Sequence, residues 1–203
     1  MSARFRRLFQ PFRLGRLELR NRIVMPPMVT SYGSEDSFVT EQLKGYYAAR
    51  ARGGVGLVIV EAACVDAPAG KIIKRQLQID DDRFVPGLTE LAQAVKEQGA
   101  RVAIQLHHAG SEARSSLTGV QPAAPSPIPK PGLEMPRELT TEEVGELVLC
   151  FARAARRAQS AGFDGVEIHG AHGYLIAQFL SSFFNRRSDV YGGGIEGRAR
   201  FLI

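Results

Sequence analysis

The stretch Gly56-Leu-Val-Ile-Val-Glu61 is an unbroken apolar run that ends in a carboxylate. Such a run, without alternation of apolar and polar residues, is typical of a parallel strand buried on both faces. A second run, Arg101-Val-Ala-Ile-Gln-Leu106, has the same character. Between them, residues 85–98 carry apolar side chains at helical spacing, and Gly99 ends that helix. The stretch therefore predicts a βαβ unit with parallel strands.

The same alternation continues on both sides of this unit. Upstream, Arg22–Met25 is a short apolar strand and Thr40–Arg52 a helix. Downstream, Thr140-Thr-Glu-Glu143 is a capping box that opens a helix ending at Gly162, and Asp164–Ile168 is a fourth strand. The order β-α-β-α-β-α-β predicts an α/β protein with a parallel sheet and right-handed crossovers.

The number of units suggests part of a barrel. A tight turn at Leu14–Leu17 predicts an N-terminal hairpin before the first strand. The chain has 203 residues, whereas a complete (β/α)₈ TIM barrel needs about 250. We therefore expect residues 1–203 to form the N-terminal part of one TIM-barrel domain, truncated at the C-terminus, with about the first four βα units.

Composition limits the possible partners. No apolar run approaches the roughly 18 residues of a membrane span, so we expect no membrane insertion. The net charge of +5 arises from residues 1–22, which hold seven arginines and one acid, rather than from a basic face of the kind that binds nucleic acid. An arginine-rich targeting segment is the alternative for that region. Two cysteines, Cys64 and Cys150, cannot form a disulfide framework, which favours the cytoplasm.

Residues 111–139 interrupt the pattern. They contain six of the eleven prolines and show no periodicity. Connections of this length without secondary structure are rare in compact domains unless they serve as functional lids. Because the segment follows the third strand of the sheet, we expect an active-site lid loop, with a variable insertion as the alternative.

The ends of the predicted strands point to the chemistry, because parallel β/α proteins place their sites at the C-terminal ends of strands. After the fourth strand come His169, His172 and Tyr174. A helical turn there would put the two imidazoles on one face, where both can donate a hydrogen bond to one ligand oxygen. Tyr174 would offer a proton to the same ligand. The alternatives are a metal site, which lacks further ligands at suitable spacing, and histidines that merely cap a buried turn.

Two further segments could face a flat ligand. Gln105 ends the third strand, and its amide offers a donor and an acceptor to the polar edge of a flavin or a nucleobase. Pro26, Pro27 and Met28 form a rigid apolar turn after the first strand, whose backbone could press against a ring. A simple kink is the alternative for that turn.

These residues belong to motifs that resemble a known family. The motifs run in order along the chain: Leu8-Phe-Gln-Pro11, Leu19-Arg-Asn-Arg22, Met25-Pro-Pro-Met28, Val60-Glu-Ala62, Ile104-Gln-Leu106, His108-Ala-Gly110, Val166-Glu-Ile-His-Gly-Ala-His-Gly-Tyr174, Gln178-Phe-Leu180, Asn185, Arg187, Asp189 and Tyr191-Gly-Gly193. The chain resembles the Old Yellow Enzyme family, in the branch of NADH:flavin oxidoreductases and 2,4-dienoyl-CoA reductases.

The resemblance implies a barrel that holds FMN at its mouth and takes NADH or NADPH as reductant. Pro26, Pro27, Met28 and Ala62 would line the flavin, and Gln105 would bond its pyrimidine edge. In the same way, His169 and His172 would hold the carbonyl oxygen of a small-molecule substrate, and Tyr174 would donate a proton. The implied reaction is reduction of an activated C=C bond, as in an ene-reductase.

Two alternatives remain open on the sequence. One is a flavin amine dehydrogenase of the same barrel group, and the other is a catalytically silent fragment. The resemblance also implies a possible 4Fe-4S cluster, which four closely spaced cysteines beyond Ile203 would indicate, as in dienoyl-CoA reductases and amine dehydrogenases. The open edges of a half barrel also suggest a homo-oligomer.

Overall fold

A four-stranded parallel sheet forms the centre of this computed structural model, which describes residues 5–203. The strands are β1 (Phe12–Leu14), β2 (Leu17–Leu19), β3 (Val24–Met25), β4 (Leu57–Cys64), β5 (Arg101–His107), β6 (Ala123–Ala124), β7 (Arg137–Glu138) and β8 (Gly165–Ile168). The central sheet has the order β3-β4-β5-β8, so neighbours in space follow chain order, as in a barrel wall. Of the arginine-rich segment, residues 1–4 lie outside the described part of the chain.

Helices connect the strands of the central sheet on one side. Helices α1 (Glu41–Arg52), α2 (Val85–Lys96) and α4 (Thr141–Ser160) make these connections, whereas α3 (Ser115–Thr118) lies between β5 and β6, and α5 (Leu175–Leu180) and α6 (Ile195–Ala199) follow β8. The predicted capping box is present at α4: the Thr140 hydroxyl accepts from the Glu143 amide, and the Glu143 carboxylate accepts from the Thr140 amide. The predicted helices thus form, with α2 ending at Lys96 rather than Gln98. The short helix α5 was not predicted.

A β-bulge in β4 changes which side chains face the barrel interior. Val60 pairs with Ile104 and Ala63 with Leu106, so β4 has one residue more than β5 across this interval. Val60 and Glu61 both lie on the helix-packed side, since Val60 joins the core there and Glu61 contacts Tyr47 of α1. Ala62 consequently faces the interior. The strand predicted to end at Glu61 therefore continues to Cys64.

The predicted hairpin forms from β1 and β2 and closes the end of the sheet opposite the strand C-termini. Its Leu19 packs inside the barrel wall against Leu57 and Ala103. The Arg20 guanidinium donates to the carbonyl oxygen of Val55 at 2.8 Å and to that of Gln98 at 3.0 Å. The hairpin is thus fixed to the loops that precede β4 and β5.

Segment 111–139 has structure of its own, so the expectation of a structureless connection is wrong. It contains α3 and the parallel pair of β6 and β7. The buried Arg187 side chain joins the middle of the segment to its C-terminal end, because it donates to the carbonyl oxygens of Pro125, at 3.1 Å, and Leu139. The same guanidinium pairs with Asp189. The prolines limit regular structure because they lack a backbone N–H. The Arg187 side chain, from a later part of the chain, supplies hydrogen-bond donors to the backbone carbonyl oxygens of the segment instead.

Candidate active site

A cleft of about 550 Å³ opens at the C-terminal ends of the central strands. Its lining includes every candidate residue proposed above: Pro26, Pro27, Met28, Ala62, Gln105, His169, His172 and Tyr174. Val29, Ile72, His107 and Glu167 also line it. Residues from four separate strand ends are therefore brought into one concave site, as expected for a parallel β/α architecture.

Strand alternation explains the polar floor of the cleft. Gln105 and Glu167 lie opposite each other on β5 and β8, and their side chains share the interior face. The Gln105 amide donates to the Glu167 carboxylate at 2.6 Å. This bond uses one amide hydrogen and fixes the side chain, so the amide oxygen and its second hydrogen are left for a ligand.

The histidine pair meets through a turn rather than through the predicted helix. His172 has a φ of +56° and Gly173 a φ of +75°, both left-handed, so the expected helical turn is wrong. Gln178 stabilises this turn by donating to the Gly173 carbonyl oxygen at 2.6 Å. His169 Nε2 lies 3.3 Å from His172 Nδ1. The sequence pattern was right about proximity but not about the backbone that produces it.

Hydrogen bonds determine the tautomers of this pair. The Ala171 amide donates to His169 Nδ1 at 3.3 Å, so the proton of a neutral His169 lies on Nε2. That proton is directed to His172 Nδ1, which leaves His172 Nε2–H as the outer donor. Since a 3.3 Å contact is long for a hydrogen bond, a ligand oxygen can compete for the His169 proton.

Burial affects the protonation of the site. It lowers the pKa of His169, and the neighbouring His172 lowers it further. Burial also raises the pKa of Tyr174, with a smaller contribution from the Glu112 carboxylate. His169 is therefore a neutral donor at neutral pH, and Tyr174 retains its proton. The Tyr174 ring lies perpendicular to that of His169, with 4.9 Å between centroids.

The apolar wall of the cleft is fixed from behind by Glu61. Both the Thr30 amide, at 3.1 Å, and the Thr30 hydroxyl, at 2.7 Å, donate to its Oε2. The Tyr47 hydroxyl contacts the same oxygen at 3.2 Å. Burial raises the pKa of Glu61. This carboxyl group thereby holds the end of the loop that carries Pro26–Met28.

Sequence reasoning missed several residues that shape the site. His107 and Glu167 line the cleft, while Glu61 and the buried Gln76 lie behind it. Alternation along β5 and β8 could have indicated His107 and Glu167, because they share a face with Gln105 and His169. Local sequence offers no corresponding signal for Glu61 and Gln76, whose partners come from distant segments.

Among residues 5–203, no group of three or more His, Cys, Asp or Glu side chains is arranged to bind a metal ion. Within the same range, no helix combines the length and the apolar character required to traverse a bilayer.

A sequence model described as the NADH:flavin oxidoreductase / NADH oxidase family matches residues 7–203. The chain belongs to this family. It is 53% identical to an NADH oxidase of Thermoanaerobacter brockii over 98% of the chain and 31% of that protein. It is 49% identical to an NADPH dehydrogenase of Geobacillus sp. (strain WCH70) over 96% of the chain and 57% of that protein.

A solved structure confirms the fold of this family member. The old yellow enzyme homologue from Zymomonas mobilis superposes with a TM-score of 0.90 and 36% identity, over 96% of the chain and 57% of that protein. The predicted resemblance and barrel fold are therefore confirmed: the four parallel strands are part of an Old Yellow Enzyme-type TIM barrel. The chain spans from about a fifth to just over half of the length of the relatives that it matches.

Proposed function

We propose that the protein containing this chain binds FMN in the cleft, accepts electrons from NADH or NADPH, and reduces C=C bonds conjugated to a carbonyl group. The observation that carries the proposal is the convergence of two imidazoles, of which His169 is kept neutral by burial, and a protonated phenol on one cleft. The substrate would be a small enoate or α,β-unsaturated carbonyl or acyl compound. The free cysteines accord with a cytoplasmic location.

The residues present fit a flavin. Pro26, Pro27 and Met28 offer an apolar wall, and Ala62, turned inward by the bulge, leaves room for a planar ring. Gln105 offers its amide oxygen and a remaining amide hydrogen to the polar edge of the ring. When bound, FMN would supply the hydride chemistry that no side chain here can provide.

The chain's own residues would orient and polarise the substrate. His169 and His172 would donate hydrogen bonds to the substrate carbonyl oxygen and stabilise the negative charge that develops there. Tyr174 would act as general acid and protonate the carbon next to the carbonyl group. Its raised pKa keeps that proton available at neutral pH.

Segment 111–139 would cover the site. Its Lys130 Nζ lies 3.5 Å from the carbonyl oxygen of Gly173, which is part of the turn that carries His172 and Tyr174.

The test separates two half-reactions in the full-length protein. Anaerobic stopped-flow absorbance would follow flavin reduction by NADPH or NADH, and then reoxidation by 2-cyclohexenone. We expect Tyr174→Phe to leave flavin reduction unchanged and to slow reoxidation by roughly 10²–10⁴, which is typical of general acid catalysis. Oxidation of small amines without alkene reduction would instead support the amine dehydrogenase. A protein that binds no flavin would overturn both.

A further inference from the structure

His107 lies in the cleft without an assigned role. It follows Gln105 by two residues on β5 and therefore projects from the same face, into the barrel mouth. The residue is 1% exposed. Its Nε2 is buried and makes no hydrogen bond within residues 5–203. A polar atom in this position requires an explanation, because leaving it unpaired costs free energy.

The neighbouring Gln76 determines where His107 carries its proton. The Ile72 amide donates to Gln76 Oε1 at 2.8 Å, and Gln76 Nε2 donates to the Ala62 carbonyl oxygen at 3.3 Å. These two bonds fix the orientation of the amide. The same Nε2 lies 3.1 Å from His107 Nδ1, so Nδ1 must be the acceptor. The proton of His107 is consequently on Nε2.

His107 is also kept uncharged. Burial, reinforced by His108 and His169, lowers the pKa of His107 to about 3. Protonation at Nδ1 would in addition place a second hydrogen against the Gln76 amide hydrogens. The imidazole therefore stays neutral throughout the pH range in which enzymes of ordinary stability function.

The neutral ring contacts Tyr174 directly. The two ring centroids lie 4.4 Å apart at an interplanar angle of 80°, an edge-to-face contact. His169 lies on another side of the same imidazole, at 5.5 Å between centroids. A cation in place of this neutral ring would favour the phenolate form of Tyr174 and repel any charge on His169.

We propose that His107 is a positioning residue for Tyr174: Gln76 holds it as the neutral Nε2–H tautomer, and its ring fixes the orientation and protonation of the phenol. This inference rests on the proposed role of Tyr174 as proton donor. Its first prediction nevertheless concerns the imidazole itself and does not depend on any reaction.

The first test is NMR of the full-length protein labelled with ¹⁵N-histidine and ¹³Cζ-tyrosine. The His107 signals, identified by their loss in His107→Phe, should show the Nε2–H tautomer and should not titrate between pH 5 and pH 8. Gln76→Glu places a carboxylate at Nδ1, so we expect protonated His107 and a lower pKa for Tyr174. Gln42→Glu, on the exposed face of α1, controls for added negative charge.

An Nδ1–H tautomer, a His107 that titrates near pH 6.5 in the wild type, or an unchanged Tyr174 signal in Gln76→Glu would each overturn the proposal. These outcomes are independent of turnover. They would stand even if no alkene were reduced, which would contradict the proposed function alone.

The second test uses the two half-reactions. We expect His107→Ala to slow reoxidation by the alkene about 10–100-fold, the typical cost of misplacing a reacting group, and to leave flavin reduction unchanged. His107→Phe, which retains a ring, should recover most of the rate. In a Tyr174→Phe background, His107→Ala should cost almost nothing more, because residues that act together are not additive. Full additivity, or equal slowing of both half-reactions, would refute the positioning role.

Discussion

Removal of the Arg187 side chain should loosen segment 111–139 from the rest of the barrel. Arg187 is buried, with 4% of its side chain exposed, and it donates to the Pro125 and Leu139 carbonyl oxygens and to Asp189. Arg187→Met keeps much of the apolar stem but leaves these acceptors without their donor. Arg186→Met is the matched control, since the side chain of this adjacent arginine is exposed and donates to the nearby Phe183 carbonyl oxygen, while its backbone amide, which donates to Ser126 Oγ, is kept in the variant.

The expected loss follows from the burial of this ion pair. Breaking a buried pair by removing one partner costs about 3–5 kcal/mol. We expect the lower end, about 3 kcal/mol, because a quarter of the Asp189 side chain is exposed and water can replace part of the lost bonding. Arg186→Met should change the free energy of unfolding by less than about 0.5 kcal/mol. Arg187→Lys should recover only part of the loss, because a single ammonium cannot bond in a fork.

Two measurements on the full-length protein examine this prediction. Urea denaturation would give the free energy of unfolding of each variant. Limited trypsin digestion would report cleavage after Arg114 and Arg137, which are exposed and lie within segment 111–139. We expect faster cleavage there in Arg187→Met than in either Arg186→Met or the wild type. Equal stability and equal cleavage in the two methionine variants would show that Arg187 does not hold the segment.

Three further results are expected. His169→Ala and His172→Ala should each weaken phenol binding and reduce alkene turnover by about 2.7–4 kcal/mol of transition-state stabilisation, with flavin content unchanged; normal titrations in both would exclude the pair as the oxygen site. The free energy of unfolding should be nearly constant between about pH 6.5 and pH 8 and fall as pH decreases towards 3, because His107 protonates in the unfolded chain before it does in the folded protein. His107 alone should account for a decrease of about 2 kcal/mol in the free energy of unfolding between neutral pH and pH 5. Urea denaturation of His107→Phe at the two pH values should show a decrease that is smaller by this amount. Residues 1–203 alone should bind FMN poorly and self-associate through the open edges β3 and β8; a monomer with stoichiometric flavin on size-exclusion chromatography would contradict this.

The fold was predictable because its signals are local. The apolar runs at 57–60 and 101–106 specify buried parallel strands, and Thr140 and Glu143 specify the start of α4 within their own four residues. The end of β4 was not predictable in this way. A charged residue such as Glu61 after an apolar run indicates that the strand ends there. Glu61 is instead buried within β4 because Thr30 and Tyr47, which lie in other parts of the chain, bond its carboxyl group.

The candidate site was predictable as a set of positions but not as a geometry. The rule that parallel sheets present their chemistry at strand C-termini is sufficient to collect His169, Gln105 and Pro26. It does not predict the left-handed conformation of His172, which non-glycine residues adopt rarely. The six prolines of segment 111–139 likewise gave no indication of the hydrogen bonds that Arg187 makes from outside it.

The bulge in β4 separates two properties that a regular strand would link. With its extra residue, Glu61, the strand keeps Leu57, Ile59 and Ala62 on the interior side and still adds a carboxyl group on the outside. A strand shortened by that one residue would preserve the inward sequence unchanged. The side chains of β4 that line the cleft and the Glu61 carboxyl group that holds the neighbouring loop are therefore independent of each other. Insertion of one residue into the strand is sufficient to add the carboxyl group without changing the side chains that face the cleft.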